Sequence, residues 1–189
     1  LNTYLFQQNG YHGSRFEYYH RANSYLNRVI DDREGIPITL SVLYMEMGRK
    51  LGLKIDGVGL PGHFVVKQVN SDGSDQLVDV FEGGKFISRE DAEAIVLRYV
   101  GRPLQDEDLQ PTPPKEILRR MVRNLGALAE RDRDSEALLR YVDAMIAVFP
   151  EEGGLRHDRG VLRAMTGRNA AALADFDWVL KQQPPGPDL

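Results

Sequence analysis

The sequence predicts an α+β domain with a mostly antiparallel sheet over residues 1–110, followed by an all-α region over residues 111–189. Three observations support this division. Before the boundary, the apolar periodicity changes in the order helix, helix, strand, strand, strand, helix, which is typical of α+β domains. The segment DLQPTPPKE, at 108–116, contains three prolines in four positions and forms a stiff linker. Every periodic segment beyond it is helical.

The first predicted helix has a polar start and a glycine behind it. Asn23 or Ser24 can cap its amino terminus, because short polar side chains accept hydrogen bonds from the first free backbone N–H groups. Gly35 follows the helix, where a C-terminal glycine is favoured. The apolar face of this helix contains Leu26, Val29 and Ile30.

The second predicted helix begins at Pro37, in the segment EGIPITLS, and ends before Gly52. A proline is well tolerated in the first turn, because its missing N–H would have had no partner within the helix. Apolar residues follow at spacings of three and four, as a buried helical face requires: Leu40, Leu43, Tyr44, Met47 and Leu51.

Short strands and a third helix complete the domain. The segment KIDGVGLPGHFVVKQV contains two β-type runs separated by a Pro-Gly turn, and QLVDVF, at 76–81, provides another. A Gly-Gly pair then predicts a tight hairpin before KFIS. Ser88 and Asp91 form a capping-box pattern, which predicts that a helix begins there.

The helical region carries a repeat of 34 residues. This interval separates Gly126 from Gly160 and Pro150 from Pro184. A glycine early and a proline late in each unit resemble the tetratricopeptide (TPR) repeat, in which a unit is an antiparallel helix pair. In the second unit, Gly160 would permit a close helix approach and Phe176 would fill the remaining gap. Other equivalent positions are Leu138 and Ala172, Val142 and Phe176, and Met145 and Val179.

Composition argues against several function classes. The net charge is −4, the pI is near 5.6 and no Lys/Arg-rich stripe is present, so we expect no nucleic-acid partner. The chain contains no cysteine, which excludes a disulfide, a thiolate zinc site and a cysteine nucleophile within it. The histidines lack metal-ligand spacing, and no apolar run is long enough for a membrane span. We therefore expect no metal, no cofactor and no membrane contact.

The first residues, LNTYLFQQNGYHGSRF, have no basic segment followed by an apolar core, so they do not form a signal peptide. The location that we expect is the cytoplasm. The chain does not begin with methionine, and we expect the first domain to lack an amino-terminal part.

His63 and Asp79 are the main candidates for a functional site. A Pro-Gly turn comes directly before His63, and pairing of strands 63–69 and 76–81 would bring His63 beside Asp79. A carboxylate next to an imidazole orients the ring and favours its charged form. Both residues also have an ordinary interpretation, as a half-buried strand histidine and a buried aspartate bonded to the backbone. The tyrosine-rich segment RFEYYHRANSY can either line a groove or pack in the core.

The chain order of helix start, histidine strand and aspartate strand resembles the transglutaminase-like, papain-related fold. In that family a cysteine at the helix amino terminus attacks a carbonyl or amide, a histidine takes its proton and an aspartate holds the histidine. Three segments further resemble the SirB1 family, a bacterial branch with a transglutaminase-like domain followed by TPR-type helices: NSYLNRVIDDREGIPITLSVLYMEMGRKLGL, GVGLPGHFVVK and DVFEGG. The resemblance covers about residues 2–100, and the repeats extend it.

The resemblance implies that Pro37 occupies the position of the nucleophile. In active transglutaminase-like domains the cysteine lies about fifteen residues before the glycine that ends the helix, and this interval leads from Gly52 back to Pro37. Proline is chemically inert, so the thiol mechanism is impossible in this chain. Thr39 and Ser41 follow on the same helix, but Thr39 lies about 200° around it from Pro37.

Two functions remain open at this point. The first is a non-catalytic interaction or regulatory module, in which TPR-like helices bind a protein or peptide partner and the cleft near His63 and Asp79 is kept. Thr39 and Asn23 are further candidate binding residues. The second is a hydrolase or amidase of unfamiliar mechanism, with His63 as general base on a bound water and Asp79 orienting it. The helix start at 35–38 would then stabilise an oxyanion. The sequence favours the first function and does not indicate an oligomeric state.

Overall fold

The computed structural model of the chain describes residues 1–70 and 72–182. The chain divides into two compact units, of which the first is Leu1–Met121 and the second begins at Val122. Helix α4, Pro114–Arg131, contributes residues to both units. The first unit therefore includes the proline-rich linker and the first turns of the helix behind it.

The first unit has an α+β architecture with an antiparallel sheet, as predicted. Its helices are α1 (Leu26–Asp32), α2 (Pro37–Lys50) and α3 (Arg89–Val100), with short helical turns at Thr3–Gln8, Arg21–Ser24 and Asp106–Leu109. Its strands are β1 (His12–Gly13), β2 (Glu34–Gly35), β3 (Lys54–Val58), β4 (Val65–Val69), β5 (Asp75–Asp79) and β6 (Lys85–Ile87). Within the described residues, β1 and β2 form a small parallel bridge, and the other strands form one antiparallel sheet in the order β3-β4-β5-β6.

Tight connections hold the central strands in register. Between β4 and β5, the N–H of Asn70 donates to the carbonyl of Ser74 at 2.8 Å. Between β5 and β6, Gly83 and Gly84 have φ values of 71° and 77°, which side-chain-bearing residues rarely adopt. The N–H of Gly84 donates to the carbonyl of Asp79 at 2.9 Å, which confirms the hairpin predicted from the Gly-Gly pair.

The register of β4 against β5 sorts the sheet residues onto two faces. Val66 lies opposite Val78, and both are fully buried. They pack in one apolar cluster with Leu40 and Tyr44 of α2. The alternate strand residues point to the other face and pack with α3, in a cluster that contains Val58, Val65, Leu77, Ala92 and Val96. Helices α2 and α3 therefore cover opposite faces of the sheet.

Two predictions about the ends of α1 are wrong. Neither Asn23 nor Ser24 caps the helix, because the N-cap residue is Tyr25 and its side chain makes no capping bond. Both polar residues lie buried in the turn before it, where Asn23 Nδ2 donates to the carbonyl of Glu17. Gly35 does not terminate α1 either. Arg33 takes the left-handed conformation at its end, with φ of 58°, and Gly35 belongs to β2.

The predicted ends of the next two helices are confirmed. Pro37 is the first residue of α2, and Gly52, with φ of 75°, follows directly after the C-cap. At the start of α3, the N–H of Asp91 donates to Ser88 Oγ at 3.1 Å. The N–H of Ser88 donates in return to Asp91 Oδ2 at 2.9 Å, which completes the capping box.

The described part of the second unit is helical. After α4 come α5 (Ser135–Val148), α6 (Gly153–Met165) and α7 (Asn169–Gln182). A Cβ atom on Gly160 of α6 would lie 2.5 Å from the ring of Phe176 on α7. This contact confirms the close helix pair that was predicted for the second repeat. Pro184, the other marker of that repeat, lies outside the described residues.

A buried carboxylate also links α6 to α7. The side chain of Asp175 is 3% exposed and lies 2.5 Å from Arg159 and 2.8 Å from Arg163. The hydrogen bonds that Arg159 donates to Asp175, and a further one that it donates to Asp143, raise the pKa of its guanidinium above its ordinary value. Because guanidinium and carboxylate geometries match, this cluster fixes the two helices against each other.

The two equivalent glycines offer a test of the helix-pair packing. We expect Gly160→Ala to destabilise the second unit, because the added methyl group collides with the Phe176 ring, at a cost of about 1–3 kcal/mol that the better helix propensity of alanine offsets only in part. Gly126→Ala is the matched control, since no atom lies within 4 Å of the point that its new methyl group would occupy. It should stabilise α4 by up to about 1 kcal/mol. Thermal unfolding followed by circular dichroism measures both changes, and equal shifts of the same sign would contradict the packing.

Candidate functional site

His63 and Asp79 form a hydrogen-bonded pair in the first unit. His63 Nε2 lies 2.8 Å from Asp79 Oδ2, and the two side chains are 10% and 5% exposed. The second carboxylate oxygen, Oδ1, accepts the backbone N–H of Glu82 at 3.2 Å. The buried Asp79 therefore has both kinds of partner that were expected for it, an imidazole and a backbone N–H.

The arrangement leaves one nitrogen of His63 available. An ionised carboxylate only accepts hydrogen bonds, so Nε2 carries a proton toward Asp79. Nδ1 has no hydrogen-bond partner among the described residues, and in the neutral ring it is an acceptor. The ring of Phe81 stands edge-on to the imidazole at a centroid distance of 6.3 Å and limits its rotation. A ligand that donates a hydrogen bond, or a water that gives up a proton, is suited to Nδ1.

The strand register explains why the pair forms. Because Val66 lies opposite Val78, Asp79 is the neighbour of Val65 across the ladder. His63 lies two residues before Val65, on the same face when the chain is extended. Diagonal neighbours of this kind are within reach of a long side chain.

The turn before His63 is fixed from two directions. The N–H of His63 donates to the carbonyl of Leu60 at 3.0 Å, and Gly62 has φ of 79° behind Pro61, as a type II turn requires. Arg120 donates to the carbonyl of Leu60 at 3.2 Å and to that of His63 at 2.7 Å. Sequence reasoning missed Arg120, which is 57 residues from His63 and carries no motif.

The pKa of Arg120 reflects its half-buried position. Burial lowers the pKa of its guanidinium, while the nearby phenol of Tyr18 acts in the opposite direction. The guanidinium also lies 5.4 Å from the centre of the Phe64 ring, a favourable cation–π distance. The half-buried Arg120 thus stabilises the turn by donating to two of its backbone carbonyls, and its charge lies beside an aromatic ring.

The pair opens onto a cleft of about 330 Å³. Pro37, the first residue of α2, lines the same cleft as His63 and Asp79. The structure therefore brings together the three residues that the resemblance to transglutaminase-like domains singled out. The cleft wall that contains Pro37 is therefore formed by the amino terminus of α2. The free N–H groups of a helix amino terminus favour negative charge.

Thr39 and Asn23, the other two candidate binding residues, are buried and lie outside the cleft lining. Thr39 is fully buried, and its Oγ1 donates to the carbonyl of Asn23 at 2.7 Å and accepts the N–H of Ile36 at 3.2 Å. Asn23 donates from Nδ2 to the carbonyl of Glu17 at 2.7 Å. Neither side chain lines the cleft. The hydroxyl proton of Thr39 is already used by the backbone, which argues against a nucleophilic role.

Aromatic residues form much of the remaining cleft wall. Tyr18, from the tyrosine-rich segment, lines it together with Phe81 and Tyr99. Burial, reinforced by the neighbouring phenols of Tyr99 and Tyr19, raises the pKa of Tyr18. The sequence left open whether this segment lines a groove or packs in the core, and Tyr18 lines the cleft. The contribution of Tyr99 was missed, although its spacing from Ile95 on α3 is the kind that shares a helix face.

The comparisons with known proteins agree with this geometry. Residues 1–123 match the family model described as "Transglutaminase-like superfamily", and residues 125–189 match the model described as "Tetratricopeptide repeat". Together they define a protein with a transglutaminase-like domain followed by TPR helices. No solved structure gives a significant match.

Several curated relatives align over most of the chain. A "UPF0162 protein" of Xylella fastidiosa (strain 9a5c) is 34% identical over 189 residues, which covers 97% of this chain and 67% of the relative. "Protein SirB1" of Salmonella typhimurium is 24% identical and covers 94% of this chain and 66% of the relative. "F-box only protein 21" of Homo sapiens is 29% identical over 162 residues, 80% of this chain and 25% of that protein. The chain belongs to the family of UPF0162 and SirB1 proteins within the transglutaminase-like superfamily.

Two further findings on the described residues concern metal binding and membrane spans. Among residues 1–70 and 72–182, no cluster of three or more His, Cys, Asp or Glu side chains could hold a metal ion. The helices in that part of the chain are all too short or too polar to cross a membrane. The cleft offers an imidazole oriented by a carboxylate, aromatic rings, the first residue of α2, and the charged side chains of Glu82, Lys85, Asp91 and Arg98.

Restoring a thiol at Pro37 tests the geometry of the site. The chain has no cysteine, so alkylation by iodoacetamide in a Pro37→Cys variant reports on the introduced thiol alone. A helix amino terminus and a nearby His63 lower the pKa of a thiol below its free value of about 8.5. We therefore expect alkylation at pH 6 to be about tenfold faster than for a thiol in an exposed loop.

Two controls accompany this measurement. Ser74→Cys supplies the reference thiol, because Ser74 lies in the exposed connection between β4 and β5. Adding His63→Ala to Pro37→Cys should return the alkylation rate toward that of the reference. If the Pro37→Cys thiol reacts no faster than the reference, then Pro37 does not face the imidazole.

Proposed function

We propose that this protein is a non-catalytic interaction module, in which a transglutaminase-like cleft binds a peptide segment and the TPR helices bind a protein partner. The observation that carries the proposal is Pro37. It lines the cleft beside the His63–Asp79 pair at the helix start, in a chain without cysteine. The cleft therefore has a base and its orienting carboxylate but no thiol for them to activate.

Three further findings support a binding role. TPR repeats are found as helix pairs that present surfaces for peptide or helical segments. On α6, Val161 and Met165 lie one turn apart and are 39% and 73% exposed, which leaves an apolar stripe on the second unit. A segment similar to 80% of this chain makes up 25% of the human F-box only protein 21, so the arrangement also occurs as one part of a larger protein. We propose a cytoplasmic location, in keeping with the lack of cysteine.

An experiment on intact chains tests the binding role of the second unit. We expect affinity capture from the source cell to yield a partner in near-stoichiometric amount, and purified partner to bind the wild-type chain directly. Met165→Asp should weaken that binding at least tenfold, because it inserts a charge into the apolar stripe. Leu180→Asp is the matched control on α7, where Leu180 is 64% exposed, and should bind as the wild type does.

Either of two results would contradict this assignment. One is binding that Met165→Asp and Leu180→Asp leave equally intact. The other is a wild-type chain that retains no partner whose direct binding can be reproduced with purified components. Circular dichroism of both variants verifies that the helices are intact.

One observation favours a second candidate function, a hydrolase or amidase. His63 Nδ1 has no partner among the described residues and Nε2 is 2.8 Å from Asp79, which is the arrangement of a general base. In such a reaction Nδ1 would take a proton from water, the water oxygen would bond to a carbonyl carbon, and the imidazolium would return the proton to the leaving amine. The amino terminus of α2 would stabilise the oxyanion between these steps.

Hydrolysis assays separate the two functions. We expect wild-type protein and His63→Ala to show the same background turnover on p-nitrophenyl acetate and on an amide-linked fluorogenic peptide, because the cleft has no thiol that could form a covalent intermediate. Wild-type turnover at least tenfold above that of His63→Ala, on either substrate, would overturn the non-catalytic proposal. Asp79→Asn would then show whether the carboxylate takes part.

A further inference from the structure

The cleft has a direction that follows from α3. One face of this helix lines it, through Asp91, Ala94, Ile95, Arg98 and Tyr99. At about 1.5 Å per residue, this face extends for about 12 Å, which is the length of three to four residues in an extended peptide. At its far end, a Cβ atom on Gly62 would collide with the side chain of Tyr99, so Tyr99 packs directly on the turn before His63. The groove therefore runs along α3 toward the imidazole.

Two tyrosines form the wall at the His63 end. Tyr18 and Tyr99 both line the cleft there, and the Tyr99 phenol is near enough to influence the ionisation of Tyr18. Asn23 holds the backbone of the Tyr18 segment through its bond to the carbonyl of Glu17. A peptide that follows α3 toward His63 meets these rings, so the groove is better suited to a chain end than to a chain that continues past it.

Two carboxylates of the cleft lining, Asp79 and Glu82, have partners of their own. His63 is bonded to Asp79, and Glu82 forms an ion pair with Arg15, which lies outside the lining. At the opposite end, the hydrogen bond from the backbone N–H of Ser88 lowers the pKa of Asp91, and the charge of Lys85 acts in the same direction.

Apart from Lys85, whose charge acts on Asp91, Arg98 is the other Lys or Arg side chain of the cleft lining. It has neither a hydrogen bond nor an ion pair with any residue in the described ranges, and it lies one position before Tyr99. A guanidinium without a carboxylate partner, beside aromatic rings, is a favourable site for a planar anion.

We propose that the cleft binds the carboxyl-terminal end of an extended peptide, with the terminal carboxylate on Arg98 and an apolar last side chain against Tyr99 and Pro37. This inference rests on the proposed function, because it specifies the peptide that the non-catalytic cleft recognises. The last backbone N–H of the peptide is the donor that suits His63 Nδ1. The apolar middle of the groove, which includes Ala94 and Ile95, accepts the preceding residues.

Labelled peptides test the proposal on the intact chain. The probe is the pentapeptide Gly-Gly-Ala-Val-Leu with fluorescein on its amino terminus and a free carboxyl terminus. Two comparison peptides are the same sequence with a terminal amide, and an amidated form in which glutamate replaces valine. Fluorescence polarisation, with protein up to about 1 mM, measures the dissociation constants. We expect the free carboxylate to bind at least about tenfold more tightly than either amidated peptide.

Variants show whether Arg98 is the anchor. Arg98→Gln should remove the preference for the free carboxylate, and Arg98→Lys should retain part of it, because the charge remains but the planar fork is lost. Arg140→Gln is the matched control, since Arg140 is an exposed arginine of α5, outside the cleft. It should leave all three dissociation constants unchanged.

The outcomes distinguish this inference from the proposed function. Equal binding of the free and amidated peptides overturns the carboxylate anchor but agrees with a peptide-binding cleft. Tighter binding of the glutamate peptide overturns the chain-end assignment. The inference is wrong if none of the peptides binds, or if Arg140→Gln abolishes the preference as Arg98→Gln does. Partner binding by the apolar stripe on α6 is tested separately through Met165→Asp.

Discussion

The antiparallel register of β4 against β5 is the constraint on which the rest of the first unit depends. With Val66 opposite Val78, one strand face carries valines under α2, and the other carries Val65, Leu77 and Asp79 toward α3. A slip of one residue would exchange the two faces, placing Asp79 in the apolar cluster under α2 and turning the valines toward α3. The hydrophobic pattern therefore determines the core and, through the same register, brings Asp79 within reach of His63.

The amino terminus of α2 is held by a second set of polar contacts. Thr39 bonds to the carbonyl of Asn23, and a Cβ atom on Gly35 would lie 2.9 Å from Thr39 Oγ1, so only a glycine fits beside this hydroxyl. These contacts fix the position of Pro37 relative to the sheet edge. The position of the first residue of α2 therefore depends on Thr39, Asn23 and Gly35 and not on the side chain at position 37. Proline at this position leaves the arrangement intact, because the first helical turn accepts proline without losing a hydrogen bond.

Sequence patterns predicted the elements whose causes are local. The capping box of Ser88 and Asp91, the proline start of α2 and the hairpin before β6 each depend on a few adjacent residues, and all were confirmed. The His63–Asp79 contact was predictable because the two strands are joined by a short connection. Their antiparallel pairing therefore places His63 and Asp79 near each other. The end of α1 was mispredicted, since Arg33 adopts a left-handed conformation that glycine usually takes. Arg120 could not be predicted, because its role depends on two backbone carbonyls that only the folded chain brings near it.

Comparison of the two buried aspartates shows what distinguishes a site from a structural contact. Asp175 is 3% exposed at its side chain, and Arg159 and Arg163 surround it with guanidinium donors, so its hydrogen-bonding capacity is used within the helix pair. Asp79 is similarly buried, but its partner is an imidazole whose other nitrogen has no partner in the described part of the chain. Burial and pairing are thus common to both carboxylates, and they mainly reflect the cost of leaving a charge unsatisfied. The difference is the unused hydrogen-bonding capacity of His63 among the described residues, at the wall of a cleft.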